Sequence, residues 1–485
     1  MAATQAIRIA HPESCFIGNK WIAPAAGGRI DVISAHSEQV IASVAEAREE
    51  DVDLAAKAAR RAFDEGPWPR LSPQERAEYL RRISAALEPR MPEVARAWVD
   101  QIGALAVAAP FVTGGGRFWF DYYAGMADSY EWEKPVARMG GQGQASVFRA
   151  PVGVVAAIAP WNNPFGIMAG KVAPALLAGC TVVMKPAPET LLEAYILAEA
   201  AEEAGLPEGV INLVCADRAA SDYLVRHPAV DKVSFTGSVA AGRTIGMACA
   251  ERFARCTLEL GGKSAAIVLD DADVAHAAAT LANVITLSAG QICATLSRVV
   301  AVGSVHDRLV EALREEMGKV SVGHPDDPAV RMGPLAMERQ RDRVENYVAI
   351  GRDEGAQLLC GGRRPDGLPQ GWYYEPTLFA GVSPEMRIAR EEIFGPVQVV
   401  LRARDEADAI RIANDSEFGL YGAVFCADAA RFAKVAKQVR AGTMAHNDFL
   451  FDPSLPFGGF KQSGVGREGG EAGLTSFTET VSLIF

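Results

Sequence analysis

What most constrains the fold of this chain is the rhythm of residues 152–260. A continuous apolar run at 152–159 is followed by strand-like pieces at 181–184, 210–214, 232–235 and 257–260. Helical segments at 166–178, 190–204, 221–226 and 240–250 separate them. A strand with one wet face alternates apolar and polar residues. A run that is apolar throughout is buried on both faces, as strands of a parallel sheet are. Parallel strands need crossover connections, and the intervening segments supply them as helices. The predicted unit is a parallel sheet wound with helices, an architecture that takes nucleotide-like ligands outside the carboxyl ends of its strands. Thr190 and Glu193 form a capping-box pattern for the 190–204 helix, which stops at Gly205 and Pro207.

At 485 residues the chain exceeds one ordinary core, so further domains are expected. After a helical run at 272–288, the alternation resumes. Strand 299–302 leads to helix 305–317, helix 337–354 precedes strand 357–360, and helix 406–414, strand 423–425 and helix 429–439 follow. This predicts a second α/β domain, with a seam near residues 259–263. Upstream, residues 1–50 read as irregular with short strand-like pieces. Helical patterns begin at 51, at the Ser72-Pro73-Gln74-Glu75 start signal and at 92. The stretch 117–130 holds Phe118, Trp119, Phe120, Tyr122 and Tyr123 and reads as a core-facing helix. Residues 131–151 read as a hairpin with its tip at Met139-Gly140-Gly141-Gln142-Gly143. The apolar strand at 479–485 is a liability unless paired, and the hairpin of the same or another subunit would cover it.

A formal net charge of −12 argues against general nucleic-acid binding. No uncharged apolar run reaches the length of a membrane span, and residues 1–10 lack the shape of a signal peptide. The eight cysteines contain no C-x-x-C pair, so neither a zinc site nor a disulfide framework is indicated and no metal is expected. The ordinary reading is a cytoplasmic protein with reduced, mostly buried thiols.

The chemistry concentrates around residues 256–298. Glu259 lies in Leu258-Glu259-Leu260-Gly261-Gly262-Lys263, and Cys293 in Gly290-Gln291-Ile292-Cys293-Ala294. A strand followed by a returning helix would bring this thiol and carboxylate face to face, as a nucleophile and a general base. No His lies near Cys293 in sequence, so its activation would rest on N–H groups and a cationic cofactor. Asn162 closes an apolar strand in Pro160-Trp161-Asn162-Asn163-Pro164; its amide suits an oxyanion, although an Asn-Pro turn is the ordinary explanation. No G-x-G-x-x-G follows a predicted strand. Phe235-Thr236-Gly237-Ser238 stands where a strand meets a helix and would suit a phosphate, and Lys185 ends a strand where a ribose or phosphate would lie.

Together these stretches strongly resemble the aldehyde dehydrogenase superfamily, joined by Met184-Lys185-Pro186, Glu391-Glu392-Ile393-Phe394-Gly395-Pro396 and Pro456-Phe457-Gly458-Gly459-Phe460-Lys461-Gln462-Ser463-Gly464. The resemblance implies an α/β fold of two doubly wound parallel-sheet domains with a small β oligomerisation arm. It places a dinucleotide-binding domain at 1–128 and 152–258, a catalytic domain at 259–445 and the arm at 129–151 and 468–485. It implies that Cys293 attacks an aldehyde, that Asn162 and the Cys293 N–H hold the oxyanion, and that Glu259 activates the water that releases the acid. Lys185 resembles the residue that binds the adenosine ribose, Glu392 the one that holds the nicotinamide ribose, and Phe394 the one beside the nicotinamide ring. Ile158, Pro160, Trp161, Gly237, Ser238 and Leu260 match cofactor-contacting positions. Lys171 and Lys263 match supporting ones.

Two positions depart from the family pattern. Pro188 stands where NAD-preferring members often carry a carboxylate, with Glu189 one place on. NAD remains the expected cofactor and NADP the alternative, because no Arg stands nearby in sequence. Gly170 occupies a position that is bulky in some relatives, and Phe451 and Phe457 match aromatic tunnel positions. A wide apolar tunnel for a hydrophobic aldehyde is expected. The partners implied are a small-molecule aldehyde and further copies of the chain as a homodimer or homotetramer. Rival readings are a coenzyme A-dependent acyl-transferring enzyme and a non-catalytic protein on the same fold, since fold alone does not prove activity.

Overall fold

The computed structural model describes residues 7–141 and 143–485. Val154–Ile158 forms the centre of an eight-stranded sheet. Thr181–Lys185 pairs with it in parallel on one side and Lys232–Thr236 on the other. Arg255–Glu259 and Ile211–Leu213 extend the parallel run outward. The chain runs from Val154–Ile158 through Thr181–Lys185 to Ile211–Leu213, then returns to Lys232–Thr236 on the far side. The order therefore reverses between Val154–Ile158 and Lys232–Thr236, where the two flanking connections leave in opposite directions and open a crevice. The fully apolar 152–159 run explains the choice of centre: all five residues of its strand are buried.

The second sheet has seven strands. Ala265–Val268 lies between Arg298–Val302 and Tyr421–Phe425, all parallel. Val397–Ala403 and Thr377–Ala380 follow beyond Arg298–Val302, with Gln357–Cys360 antiparallel at the edge. The third sheet is a three-stranded arm. Thr478–Ile484 pairs antiparallel with Ala145–Pro151, which pairs with Glu133–Val136. The terminal strand is thus covered by the hairpin of its own chain, although Ile484 and Phe485 stay exposed. The hairpin tip read at 139–143 includes residue 142, and the reading of residues 1–10 includes 1–6; both fall partly outside the described residues. Among the described residues no helix is long and apolar enough to cross a membrane.

Several local expectations change. Thr190 does not cap the helix, which is Leu192–Glu203 with Leu191 before its first residue, and the Thr190 hydroxyl has no partner among the described residues. Glu193 turns into the core instead and accepts from Gln101 Nε2 at 2.7 Å. Burial pushes its carboxyl up to about 7. Residues 7–50, read as irregular, contain paired strands. Cys15–Ile17 joins the edge of the first sheet beside Ile211–Leu213, and Gly28–Ile33 pairs with Val40–Glu46. The aromatic helix starts at Ala109, eight residues early, and runs through three glycines of poor helix propensity. Packing overrides propensity there: a Cβ on Gly116 would lie 2.3 Å from the Phe165 ring.

Candidate active site

Cys293 is placed by a turn of unusual backbone. The helix Val274–Thr286 ends, and Ser288, Ala289 and Gly290 adopt φ of +47°, +51° and +72° in succession. Left-handed backbone costs a non-glycine residue about 1–2 kcal/mol. Gly290 is required on a second ground, since a Cβ there would lie 2.2 Å from the Gly395 carbonyl oxygen. Gln291 staples the turn: it is buried, its Nε2 donates to Ser288 O at 3.0 Å, and its Oε1 accepts from the Ala336 N–H at 3.0 Å. Cys293 emerges partly buried into a small cavity shared with Gly262, Gly290, Thr295, Glu392 and Phe394. Burial, then the Glu392 and Glu259 carboxylates, push its thiol up to about 12. The N–H groups of Ala294 and of Cys293 itself oppose this. The sulfur is therefore a thiol until positive charge arrives beside it.

Asn162 reaches the same turn from the first sheet. Its neighbour Asn163 does the ordinary Asn-Pro work: Asn163 Oδ1 accepts from the Gly166 N–H at 3.3 Å and caps the helix Pro164–Ala178. Asn162 is left free of that task, and its Nδ2 donates to Gln291 O at 2.9 Å, two residues before Cys293. Trp98 Nε1 holds the Asn162 carbonyl at 3.1 Å.

Glu259 ends the strand Arg255–Glu259 and is 3% exposed, with no hydrogen-bond partner for either carboxylate oxygen among the described residues. A buried carboxylate without partners is costly in its charged form. Burial first, and then the Glu468 carboxylate, raise its pKa well above the ordinary range against the pull of Lys171 and Arg467. The sequence offered no pattern that marks Glu468. It arrives through a backbone pairing, with Phe457 N donating to Glu468 O at 2.7 Å and Glu468 N to Phe457 O at 2.8 Å. Its Oε1 accepts from Lys171 Nζ at 2.5 Å, and that amine also donates to Thr236 Oγ1 at 2.8 Å. The same pairing lays Gly458 against Glu259 Oε1, where an added Cβ would come within 2.6 Å. Gly262, three residues after Glu259, lies against the backbone of Cys293: a Cβ on it would be 2.4 Å from Cys293 O.

The crevice at the strand-order reversal collects the expected cofactor positions. Ile158, Pro160 and Trp161 leave one side of it, and Gly237 and Ser238 the other. Ser238 caps the helix Val239–Glu251, accepting from Ala241 N at 3.3 Å, so first-turn N–H groups face the crevice. Leu260 packs under Gly242, where a Cβ would lie 2.4 Å from Leu260 Cδ2. Lys185 is 7% exposed at the carboxyl end of its strand; burial lowers its pKa, and Glu189 among its neighbours raises it. Glu392 accepts from Gly262 N at 3.0 Å, and burial raises its pKa against that bond. Phe394 adopts φ of +61° and meets Trp161 edge-on at 5.3 Å. Gln340, absent from the sequence reading, secures Phe394 O at 2.6 Å. No Arg was expected nearby to meet a 2′-phosphate, but one arrives from elsewhere in the chain: Arg339 Nη2 donates to Glu189 Oε1 at 2.5 Å. Sequence distance hid it, because Arg339 comes from a helix of the second sheet.

On the remaining side, Phe451 is 54% exposed and contacts Phe457, with centroids 5.5 Å apart. Gly170 lies inside the Pro164–Ala178 helix, and the width expected from it is not empty space. A Cβ on Gly170 would lie 3.2 Å from Trp119 Nε1, so the indole already stands over it.

This arrangement can be compared with known proteins. The family model described as "Aldehyde dehydrogenase family" matches residues 21–483. The chain belongs to the aldehyde dehydrogenase family. Among its members, a geranial dehydrogenase from Castellaniella defragrans is 42% identical over 470 residues, covering 96% of this chain and 98% of that one. A 3-succinoylsemialdehyde-pyridine dehydrogenase from a Pseudomonas species is 42% identical over 474 residues, covering 97% and 98%. A Mycobacterium tuberculosis aldehyde dehydrogenase complexed with NAD+ superposes with a TM-score of 0.94 at 43% identity, covering 98% of each chain. A mutant of aldehyde dehydrogenase C from Pseudomonas syringae, complexed with NAD+ and octanal, gives 0.94 at 35% identity over 99% of this chain and 98% of that one. This aldehyde dehydrogenase is thus an α/β oxidoreductase with the fold of its solved relatives.

Proposed function

We propose that the protein oxidises a hydrophobic aldehyde to its carboxylic acid with NAD+, through a thioester on Cys293 that Glu259 helps to hydrolyse. The observation that carries this reading is convergence. The Cys293 turn is tied to Asn162 through Gln291 O, and its backbone lies against Gly262, three residues beyond the unpartnered Glu259 carboxylate. The Cys293 sulfur, as thiolate, adds to the aldehyde carbon. The oxygen takes the negative charge facing the Cys293 N–H and Asn162 Nδ2, which its bond to Gln291 O holds at the Cys293 turn. Lys185, Glu392 and Phe394 would hold NAD+, which would supply the acceptor for the hydride that this carbon loses. Cys293 then carries a thioester, which splits one hard oxidation into two easier steps. Glu259 removes a proton from water, the hydroxide displaces the sulfur, and acid and free thiol are released. The presence of Glu259 favours hydrolysis over transfer to coenzyme A.

The crevice suits NAD+ by its own features: Lys185 and first-turn N–H groups for ribose and phosphate, and Glu392 and Phe394 beside Cys293. Arg339, the guanidinium that reaches this end of the crevice from the second domain, is paired with Glu189, which supports NAD over NADP. A hydrophobic substrate is supported by the aromatic surround of Trp119, Phe451 and Phe457, and by relatives named for geranial or solved with octanal. We assign 1–128 and 152–258 to cofactor binding and 259–445 to catalysis. The reading includes a cytoplasmic homodimer or homotetramer built through the arm, whose Ile484 and Phe485 are left exposed in one chain. The test is a panel of aldehydes read by NADH and NADPH absorbance. We expect kcat/KM to rise from acetaldehyde to medium-chain and terpenoid aldehydes, with no turnover in Cys293→Ala. Undiminished turnover in that variant, or a peak at acetaldehyde, overturns the reading.

A further inference from the structure

We propose that Trp119 is a specificity-determining residue for the aldehyde tail, supplying from a neighbouring helix the aromatic wall that Gly170 omits. The inference rests on the reading of Cys293 as nucleophile and of Gly170, Phe451 and Phe457 as the aldehyde corridor. Gly170 lies six residues into the helix that opens at Pro164, two residues after Asn162, hence about 9 Å from the start of that helix at 1.5 Å per residue. A side chain at that depth meets the tail of a medium-length aldehyde and not its carbonyl. At Gly170 the space is filled from outside: a Cβ there would come 3.2 Å from Trp119 Nε1 and 3.3 Å from Cε2. The far end of the same ring reaches the opposite wall, since a Cβ on Gly469 would lie 3.5 Å from Trp119 Cη2. Gly469 follows Glu468, whose backbone pairs with Phe457. One indole therefore spans the helix that follows Asn162 and the segment that carries Phe457.

The ring is held in place. It stacks on Tyr123 at 5.8 Å and 17°, and the buried Tyr123 hydroxyl donates to Gly470 O at 3.3 Å. The helices interlock reciprocally, with Phe165 over Gly116 and Trp119 over Gly170. One turn before Trp119, on the same face, Gly115 has no neighbour within 4 Å of where its Cβ would be. The indole is thus a flat, fixed wall with open room beside it. It suits apolar tails that lie against an aromatic face, planar ones most of all.

The test is a kcat/KM series in propanal, octanal and 3-phenylprop-2-enal for wild type, Trp119→Phe and Trp119→Ala. We expect Trp119→Ala to lose about tenfold for the two long aldehydes, mostly in KM, with propanal unchanged and Trp119→Phe close to wild type. Quenching of tryptophan fluorescence by octanoate, an unreactive product, should weaken in parallel. Equal losses on all three aldehydes would make Trp119 structural and overturn the proposal. An unaltered series in Trp119→Ala would also overturn it. If the wild type itself shows no preference for long aldehydes, the proposed function fails instead, which separates the two.

Discussion

The two halves of the site are strained in different ways. On the second sheet, Cys293 follows a turn whose cost is conformational: three successive left-handed residues, two of them with side chains. On the first sheet, Glu259 ends an ordinary parallel strand, and its cost is electrostatic: a buried carboxylate with no hydrogen-bond partner among the described residues and a second carboxylate nearby. A nucleophile must be aimed, and a few stapled dihedrals fix direction. A base must be tuned, and burial shifts its affinity for protons without moving its backbone. On the proposed reading, positional strain is stored where geometry would limit the reaction and charge strain where proton affinity would.

The largest effect should come from the charge side. Glu259→Gln keeps the shape of the site, so the first burst of NADH should persist while steady turnover falls by about 10²–10⁴-fold, the ordinary worth of a general base. Rapid mixing separates the two phases, and loss of the burst would give Glu259 another role. Because its pKa is raised, the base form exists only above that value, and deacylation should climb with pH through the range above the ordinary carboxylate value of about 4.3. The variant should lose that limb. The stability sign follows from the same shift. A raised native pKa stabilises the fold below the unfolded value, and this is lost as pH rises through the native one. Glu259→Gln should therefore gain Tm relative to wild type at alkaline pH and not at pH 4. A Tm deficit that grew with pH would contradict a buried, unpartnered carboxylate.

The conformational side is broken at Gly290. Alanine there meets the Gly395 carbonyl at 2.2 Å and must also hold φ of +72°. The turn has to move by a substantial part of an ångström. A misplacement near 1 Å costs about 10²-fold in kcat/KM. Unlike Glu259→Gln, this variant should lose the burst as well, and labelling of Cys293 by iodoacetamide should change rate. An intact burst in a folded Gly290→Ala protein would show that the turn does not aim the sulfur.

The same contrast explains what was legible in the residues. Central strands announced themselves through apolar runs, and the catalytic motifs through their order along the chain. Long-range arrivals did not. Glu468 enters beside Glu259 by a backbone pairing with Phe457, Arg339 meets Glu189 across 150 positions, and Trp119 covers Gly170 from another helix. Short strands such as Ala265–Val268 carry too few residues to show a period, and Thr190 with Glu193 formed a capping pattern that core burial overrode. Local rules were obeyed wherever tertiary packing did not compete. The space beside Gly170 is met by the Trp119 ring, because volume belongs to a place in space and not to a position in the chain.

The smallest effect sharpens the comparison most. Ala289→Gly leaves every side-chain contact of Cys293 in place and removes only the penalty of a left-handed alanine. Relief of about 1–2 kcal/mol is opposed by the extra freedom glycine brings to the unfolded chain, about 0.5–1 kcal/mol. A net gain of roughly 1 kcal/mol or less in denaturant stability is expected, with the slope unchanged. Turnover should fall a fewfold, because the turn that held one geometry now samples others at little cost. Activity and stability would then move in opposite directions at one residue, as they do for Glu259→Gln at alkaline pH, by an unrelated mechanism. If Ala289→Gly lowered stability, the turn would be relaxed in its native form, and the charge buried at Glu259 would be the main strain that the site carries.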